Sequence, residues 1–378
     1  MWRMRSKMRY GIRAYAKPIC HSRHIAFGIC SMAQKTLRQN LRALGWRLWR
    51  SIATHVPRFR DDARAQDTSR THVILLDGTM SSLREGQETS IGLIFRLLGP
   101  STAKRTTYYA PGLQWGDWRS NLRVVTGQGL GHQIRQAYGT LASRYEAGDK
   151  IYIFGYSRGA FAARSLVGMI HEIGLLHPHA ATPRNIQMVW RLYQDKRTSE
   201  VVTNALCQTN VPIQFLGVFD TVSALGLRIP ILWKFLPNKY SFHSHHVCPN
   251  TRAAFHALAL DETRLAYFPE CWDLDKIPEG AHVEQVWFRG THGDIGGHLG
   301  DAQEVRGLSN IPLSWMLANA SEHGLDLPKD WRENFPCDAS APSLGTWRGL
   351  GKFLIFRAKR RVALSEHEWV HPSVLQAD

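Results

Sequence analysis

Four apolar runs punctuate the chain: His72-Val73-Ile74-Leu75-Leu76, Ile151-Tyr152-Ile153-Phe154, Ile213-Gln214-Phe215-Leu216-Gly217-Val218-Phe219 and Val283-Glu284-Gln285-Val286-Trp287-Phe288. Runs this short and continuously apolar predict strands buried on both faces of a mainly parallel sheet. Between them the pattern predicts helices over 88–98, 128–147, 181–206, 251–260 and 312–323, with another starting at Phe161 just after the second run. Tyr108-Tyr109-Ala110-Pro111-Gly112 reads as an extended segment that turns at Pro-Gly. Alternation of strand and helix places the chain in the α/β class, with helices on both faces of the sheet. Residues 227–247, rich in Trp, Phe, Tyr and His and broken by Pro230 and Pro237, predict a helical lid or insertion at about 225–250. From Leu327 onward the pattern loosens and turns basic, as in Lys359-Arg360-Arg361.

Charge divides the chain in two. The formal net charge is +16, but residues 1–60 hold fourteen Lys or Arg and no Asp or Glu. Subtracting these from the totals of 47 basic and 31 acidic residues leaves 33 against 31 in residues 61–378. The basicity belongs to a leader, residues 1–70, and the body from 71 to 378 is nearly neutral, which argues against nucleic acid as a partner. Within 33–52, Leu37, Leu41, Leu44, Leu48 and Ile52 recur at helical spacing among Lys35, Arg38, Arg42, Arg47 and Arg50. Such a helix either lies on an anionic membrane surface or packs its leucine stripe on the body. Polar residues 61–70 read as a linker, and Met32 is a second candidate for the translational start. No stretch reaches the roughly 20 apolar residues of a membrane span, and Ile25–Cys30 is too short for a signal-peptide core. The six cysteines are scattered without zinc spacing, the pattern of ordinary thiols in a reducing compartment. The expectation is a protein that is cytoplasmic where it is made.

The candidate chemistry sits at the ends of the apolar runs. Gly155-Tyr156-Ser157-Arg158-Gly159 follows a strand and precedes a helix, the G-x-S-x-G turn that lifts a serine hydroxyl clear of a sheet between two glycines. Two later runs end at Asp220 and His292, 63 and 72 residues further on in turn. Serine is a weak nucleophile until a histidine takes its proton, and the histidine needs a carboxylate to hold its tautomer. Ligands and active sites in open α/β sheets lie beyond the carboxyl ends of the strands, and Ser, Asp, His is the chain order of the α/β-hydrolase arrangement. The expected oxyanion donors are the N–H of Arg158 and that of Gly78 or Thr79 in the loop after the first strand. Asp77-Gly78-Thr79 also occurs in aspartyl-phosphate phosphatases, but their nucleophile lies two positions before that aspartate, where this chain has Leu75. His171, His298 and His371 are rivals to His292. Asp294 supports its loop, and His292, Asp294 and His298 make a weak metal set that lacks a fourth ligand. Arg158 and Arg164 suit either ion pairs that hold the elbow or a phosphate head group. No metal or cofactor is expected.

At these residues the chain resembles a family of bacterial and fungal α/β hydrolases, that of the type VI secretion phospholipase effectors. The similarity is carried in order by Leu76-Asp77-Gly78-Thr79, Tyr109-Ala110-Pro111-Gly112, Gly148-Asp149-Lys150-Ile151-Tyr152, Gly155-Tyr156-Ser157-Arg158-Gly159-Ala160, Phe219-Asp220-Thr221-Val222, His256-Ala257-Leu258-Ala259-Leu260-Asp261-Glu262 and Phe288-Arg289-Gly290-Thr291-His292-Gly293-Asp294-Ile295-Gly296-Gly297. Pro312–Met316 and His371–Val374 fit later segments, so the resemblance spans about 72–374. It implies an α/β-hydrolase fold with Ser157, Asp220 and His292 as nucleophile, acid and base. It implies lipid or other carboxylic esters as substrates, and delivery by a secretion system without a signal peptide. Tyr156 replaces the family's Phe, and His298-Leu299 departs from its usual Gly-Gly-Tyr, altering the wall beside the base. Two other readings stay open: a hydrolase of non-lipid esters, and a binding domain that kept the fold without catalysis. Immunity or delivery partners are not specified by the sequence.

Overall fold

A computed structural model describes residues 69–112, 128–222, 245–347, 354–362 and 366–376. The leader helix expected at 33–52 and most of the lid expected at 225–250 lie outside the described residues. All described elements belong to one unit, residues 65–378.

Its centre is a seven-stranded sheet in the order β2-β1-β3-β6-β7-β8-β9, every neighbouring pair parallel. The strands are β1 (Thr71–Leu76), β2 (Arg105–Ala110), β3 (Lys150–Tyr156), β6 (Phe215–Phe219), β7 (Ala253–Ala259), β8 (His282–Phe288) and β9 (Glu368–Val370), with β4 (Leu175–Leu176) and β5 (Cys207–Gln208) pairing separately. The chain first steps outward from β1 to β2, then returns past β1 to build the rest on the other side. That reversal creates a switch point between β1 and β3, the usual place for a site in an open α/β sheet.

The sheet is covered on both faces because side chains alternate along each buried strand. Ile74, Leu76, Ile151, Ile153, Leu216 and Val218 face helices α2 (Gln128–Ala142) and α3 (Arg158–Ile173). Val73, Leu75, Tyr152, Phe154, Phe215 and Phe219 face α1 (Ser90–Leu98) and α6 (Arg306–Glu322). The helical region expected at 181–206 is two helices, α4 (Pro183–Gln194) and α5 (Glu200–Leu206), each started by a side-chain cap from Thr182 or Ser199. The segment Thr251–Leu260, whose alanines predict a helix, is instead strand β7, buried along its whole length. Alanine's helical preference amounts to a fraction of a kcal/mol per residue. It is overridden here by a place in the sheet between β6 and β8, where Phe255 stacks on Phe215 at 5.3 Å.

Phe215 is fully buried and meets Phe154, Tyr152 and Phe255 within 5.3–6.4 Å. Phe215→Ala is expected to lower stability by about 3–5 kcal/mol, read from the urea midpoint at 25 °C.

Candidate active site

Ser157 lies one residue beyond β3 and one before α3. Its φ of 58° and ψ of −121° are strained for a residue with a Cβ, and they point the side chain away from both elements. The turn is tight enough to exclude side chains around it. A Cβ on Gly159 would lie 2.1 Å from the Leu76 carbonyl oxygen, and one on Gly155 would lie 2.6 Å from Ala160 Cα. These contacts are the physical reason for both glycines of the pentapeptide. The N-terminus of the sixteen-residue α3 begins directly behind the serine, where helix dipole and first-turn N–H groups favour negative charge.

The loop after β1 runs alongside. Asp77 is buried, and its Oδ1 accepts from Gly78 N–H at 2.7 Å. Its Oδ2 accepts the hydroxyls of Thr89 and Tyr109, both at 2.7 Å. Burial pushes the carboxyl up to about 6 against the pull of these donors. Asp77 thereby ties together the first turn, the start of α1 and the end of β2. Gly78 N–H is committed to Asp77, whereas Thr79 N–H makes no hydrogen bond among the described residues. The loop passes close to the elbow, since a Cβ on Gly78 would lie 3.4 Å from Ser157 Cβ.

Register delivers the next side chain. Tyr156 pairs with Phe219, and Ser157 N–H donates to the Phe219 carbonyl at 3.0 Å, so Asp220 emerges beside the serine. Asp220 is fully buried, with a φ of 39°. Its Oδ2 takes His292 Nδ1–H at 2.6 Å, while His292 Nε2 accepts the Ser157 hydroxyl at 2.8 Å. The structure therefore brings the three residues expected from sequence into one hydrogen-bonded chain. The rest of the carboxylate is filled by Ala259 N–H at 3.0 Å on Oδ1 and by both terminal nitrogens of Arg360, at 2.5 and 3.0 Å. Burial alone would raise Asp220, but the Arg360 charge and the His292 hydrogen bond hold it well below the usual carboxylate range.

Three carboxylates fix the loop that carries the histidine. Asp261 accepts Gly290 N–H at 2.6 Å, Asp294 accepts Thr291 N–H at 2.7 Å and Glu262 accepts His292 N–H at 3.1 Å. The remaining capacity of Asp294 goes to the Thr291 hydroxyl, the Ser343 hydroxyl and Leu344 N–H. The His292 ring meets Tyr267, stacked at 4.5 Å, and Tyr156, tilted at 5.0 Å, and the Arg264 guanidinium lies 4.4 Å from the Tyr267 ring. Glu262 holds Arg264 by a buried pair at 2.6 Å. Asp261, Glu262, Tyr267 and Arg360 have no local pattern that assigns them to a site, although Asp261 and Glu262 stand in a segment that carries the resemblance.

Among the described residues Ser157 and Asp220 hydrogen-bond His292, not the rival histidines. His371 bonds Ser373 and stacks on Phe288, and burial pushes it down to about 4. His298 is half-buried and follows the histidine loop, its backbone N–H on the Gly293 carbonyl. His171 lines a 400 Å³ hollow with Tyr193 and Lys276, apart from Ser157. Arg164 is buried, donating to the Glu270 carbonyl and lying 5.4 Å from the Trp272 ring, and burial pushes it down to about 10. Arg158 is half-buried at the elbow, and burial pushes it to about 10 as well.

A serine on a strand–helix elbow at the switch point of a parallel sheet, with helices on both faces, places the chain in the α/β-hydrolase fold class. Residues 70–319 match the family described as "T6SS, Phospholipase effector Tle1-like, catalytic domain", and the chain belongs to that family. It is similar to the uncharacterized Saccharomyces cerevisiae protein YEL023C, 30% identical over 185 aligned residues, covering 41% of this chain and 27% of the yeast protein. Two solved structures are also similar. An uncharacterized Pseudomonas aeruginosa protein has a TM-score of 0.40 at 15% identity, over 73% of this chain and 52% of that one. The Tle1 effector bound to the VgrG spike of the type 6 secretion system has a TM-score of 0.35 at 19% identity, over 65% of this chain and 55% of that one. The chain thus spans about a quarter of the yeast protein and about half of each solved chain.

One buried group behind the site gives a pH prediction. His256 Nε2 accepts Thr221 N–H at 3.1 Å while Nδ1 faces Gln285 Oε1 at 3.2 Å, so the ring is held neutral behind the Asp220 turn. Burial, helped by the Arg164 charge, pushes it down to about 3. Its folded value lies below the unfolded one of 6.5, so the unfolded chain binds the extra proton. Stability from this group is therefore complete above pH 6.5 and is lost as pH falls toward 3, by up to about 1.4 kcal/mol per pH unit. In His256→Gln the slope of urea stability between pH 6.5 and 4.5 is expected to be shallower by that amount.

Proposed function

We propose that the chain is a serine hydrolase that cleaves carboxylic esters of lipids, phospholipids first among them, through an acyl-enzyme. The observation that carries this reading is the unbroken chain from Ser157 Oγ through His292 to Asp220, at 2.8 and 2.6 Å. Nδ1–H directed at Asp220 leaves Nε2 as the acceptor, the tautomer needed to take the serine proton as Oγ attacks the ester carbonyl. The tetrahedral oxyanion would be met by the backbone N–H groups of Arg158, at the start of α3, and Thr79. Protonated His292 then gives its proton to the leaving alkoxide, and a water repeats the sequence in reverse to release the fatty acid. The imidazolium formed in between is stacked on the face of Tyr267, whose quadrupole favours a cation.

The substrate class rests on family membership and on the surface beside the site. Met80 (44% exposed) follows Thr79, and Phe268 (48%) follows the Tyr267 ring that stacks on His292. Ile355 (67%) and Phe356 (51%) lie on a segment that pairs with Leu265. Exposed apolar side chains on segments next to a buried nucleophile suit a substrate presented in a bilayer rather than one free in water. No helix among the described residues is long and apolar enough to cross a membrane. Surface contact with the bilayer and delivery by a secretion system are part of the same proposal.

Two measurements test this. Release of fatty acid from phosphatidylglycerol vesicles and of nitrophenol from dissolved p-nitrophenyl butyrate is expected to fall by at least about 10³-fold in Ser157→Ala and in His292→Ala. Rates equal to wild type in both would contradict the mechanism, and an inert wild type would favour a binding domain. Phe268→Asp combined with Ile355→Asp is expected to slow vesicle hydrolysis about tenfold, from apolar area lost at the bilayer, while changing butyrate turnover less than about twofold. Equal losses on both substrates would point to non-lipid esters.

A further inference from the structure

Arg360 lies beyond residue 319, where the family match ends, in a basic stretch with no catalytic pattern. Its side chain is nevertheless only 3% exposed and reaches four acceptors. Nη1 donates to Asp220 Oδ1 at 2.5 Å and to the Ala259 carbonyl at 2.8 Å. Nη2 donates to Asp220 Oδ2 at 3.0 Å and to the Tyr267 carbonyl at 2.5 Å. One planar guanidinium therefore joins the end of β6, the end of β7 and the turn whose aromatic ring stacks on His292. The neighbouring Lys359 and Arg361 are exposed.

The segment that carries Arg360 is seated by its own bonds. Leu265 N–H donates to the Phe356 carbonyl at 3.0 Å and Ala358 N–H to the Thr263 carbonyl at 2.8 Å, a short antiparallel bridge beside Arg264 and Arg357. Arg357 donates to the hydroxyls of Thr263 and Thr346 at 3.1 and 2.7 Å and lies 3.7 Å from the Trp347 ring. The strap is thus laced to the same turn, residues 263–267, that holds Tyr267 against the base.

We propose that Arg360 is a positioning residue of the active site: its two-pronged grip aims the Asp220 carboxylate at His292 and holds Tyr267 against that ring. The segment 354–362 is then part of the catalytic unit. Without the fork, Ala259 N–H and His292 are the remaining donors to the carboxylate among the described residues, and Oδ2 is freer to rotate away from Nδ1. A guanidinium matches the two oxygens of a carboxylate in one plane, whereas an ammonium restores charge without that geometry. Arg360 also offsets the charge that Asp220 presents to His292. Its removal leaves a bare carboxylate beside the imidazole and favours the imidazolium before substrate arrives.

This inference rests on Ser157, His292 and Asp220 acting as proposed above, and its test separates the two. Turnover of dissolved p-nitrophenyl butyrate by the full chain is measured from pH 5 to 9 in wild type, Arg360→Gln, Arg360→Lys and, as a control, Lys359→Gln. The other ionisable groups that face His292 are Tyr156 on β3, Glu262 and Tyr267 after β7, the latter with Arg264 over its ring, and His298 after the histidine loop. Those that face Asp220 are Tyr156, His256 on β7 and Cys271. All are the same in every variant. Arg360→Gln is expected to lower kcat at least about tenfold, with KM changed less than about threefold, and to move the acid limb of kcat/KM upward by about one pH unit. Arg360→Lys is expected to return the limb to its wild-type position while kcat stays low, because charge is restored and the fork is not. Should Arg360→Gln fail to fold by near-UV circular dichroism, Arg360→Lys decides through its kcat alone. Wild-type kcat and limb in a folded Arg360→Gln or a fully active Arg360→Lys would overturn the proposal and leave the serine mechanism standing. An inactive wild type would overturn both.

Discussion

The site depends on one carboxylate that has no contact with water. Asp220 is fully buried, so its charge must be compensated by neighbours or be lost to protonation. Both oxygens are satisfied: Ala259 N–H and one prong of Arg360 on Oδ1, His292 and the other prong on Oδ2. Removing one partner of such a buried pair costs about 3–5 kcal/mol, because the remaining charge is left without its counterion. The same four contacts join β6, β7, the loop after β8 and the C-terminal strap. The carboxylate that hydrogen-bonds the imidazole is therefore also the point where the elements of the site are fastened together.

Around that point the protein holds backbone as much as side chain. Consecutive N–H groups at Gly290, Thr291 and His292 each end on a different carboxylate, so the loop has little freedom to turn the histidine away from the serine. Asp77 does the same for the loop after β1 by taking Gly78 N–H and two hydroxyls, leaving the Thr79 N–H without a hydrogen bond among the described residues. A site built this way has paid its ordering entropy in folding, before substrate binds.

Much of this was legible in the sequence because it is local. Continuous apolar runs marked β1, β3, β6 and β8, and glycines flanked Ser157 because the turn leaves no room for a Cβ on either side. The order of strand ends also picked out Asp220 and His292, which the structure brings within hydrogen-bond distance of each other and of Ser157. Strand β7 was not legible, since Ala253-Ala254 and Ala257 favour a helix in isolation and only burial between two strands settles the matter. Arg360 was hidden for a different reason. An ion pair across 140 residues has no period and no spacing, and a basic tail is usually a solvated one. Glu262 and Asp261 were visible as a motif, but their use in holding backbone N–H groups 29 and 30 residues away could be read only from the folded chain.

The most direct test of the central claim is covalent. A long-chain fluorophosphonate incubated with the full chain at pH 8 should add one adduct by intact mass, mapped by peptide sequencing to Ser157. The adduct should be absent from His292→Ala under the same conditions, because the hydroxyl then has no base. Labelling at another residue, or equal labelling of Ser157 without His292, would contradict a serine activated by the histidine and aspartate beside it.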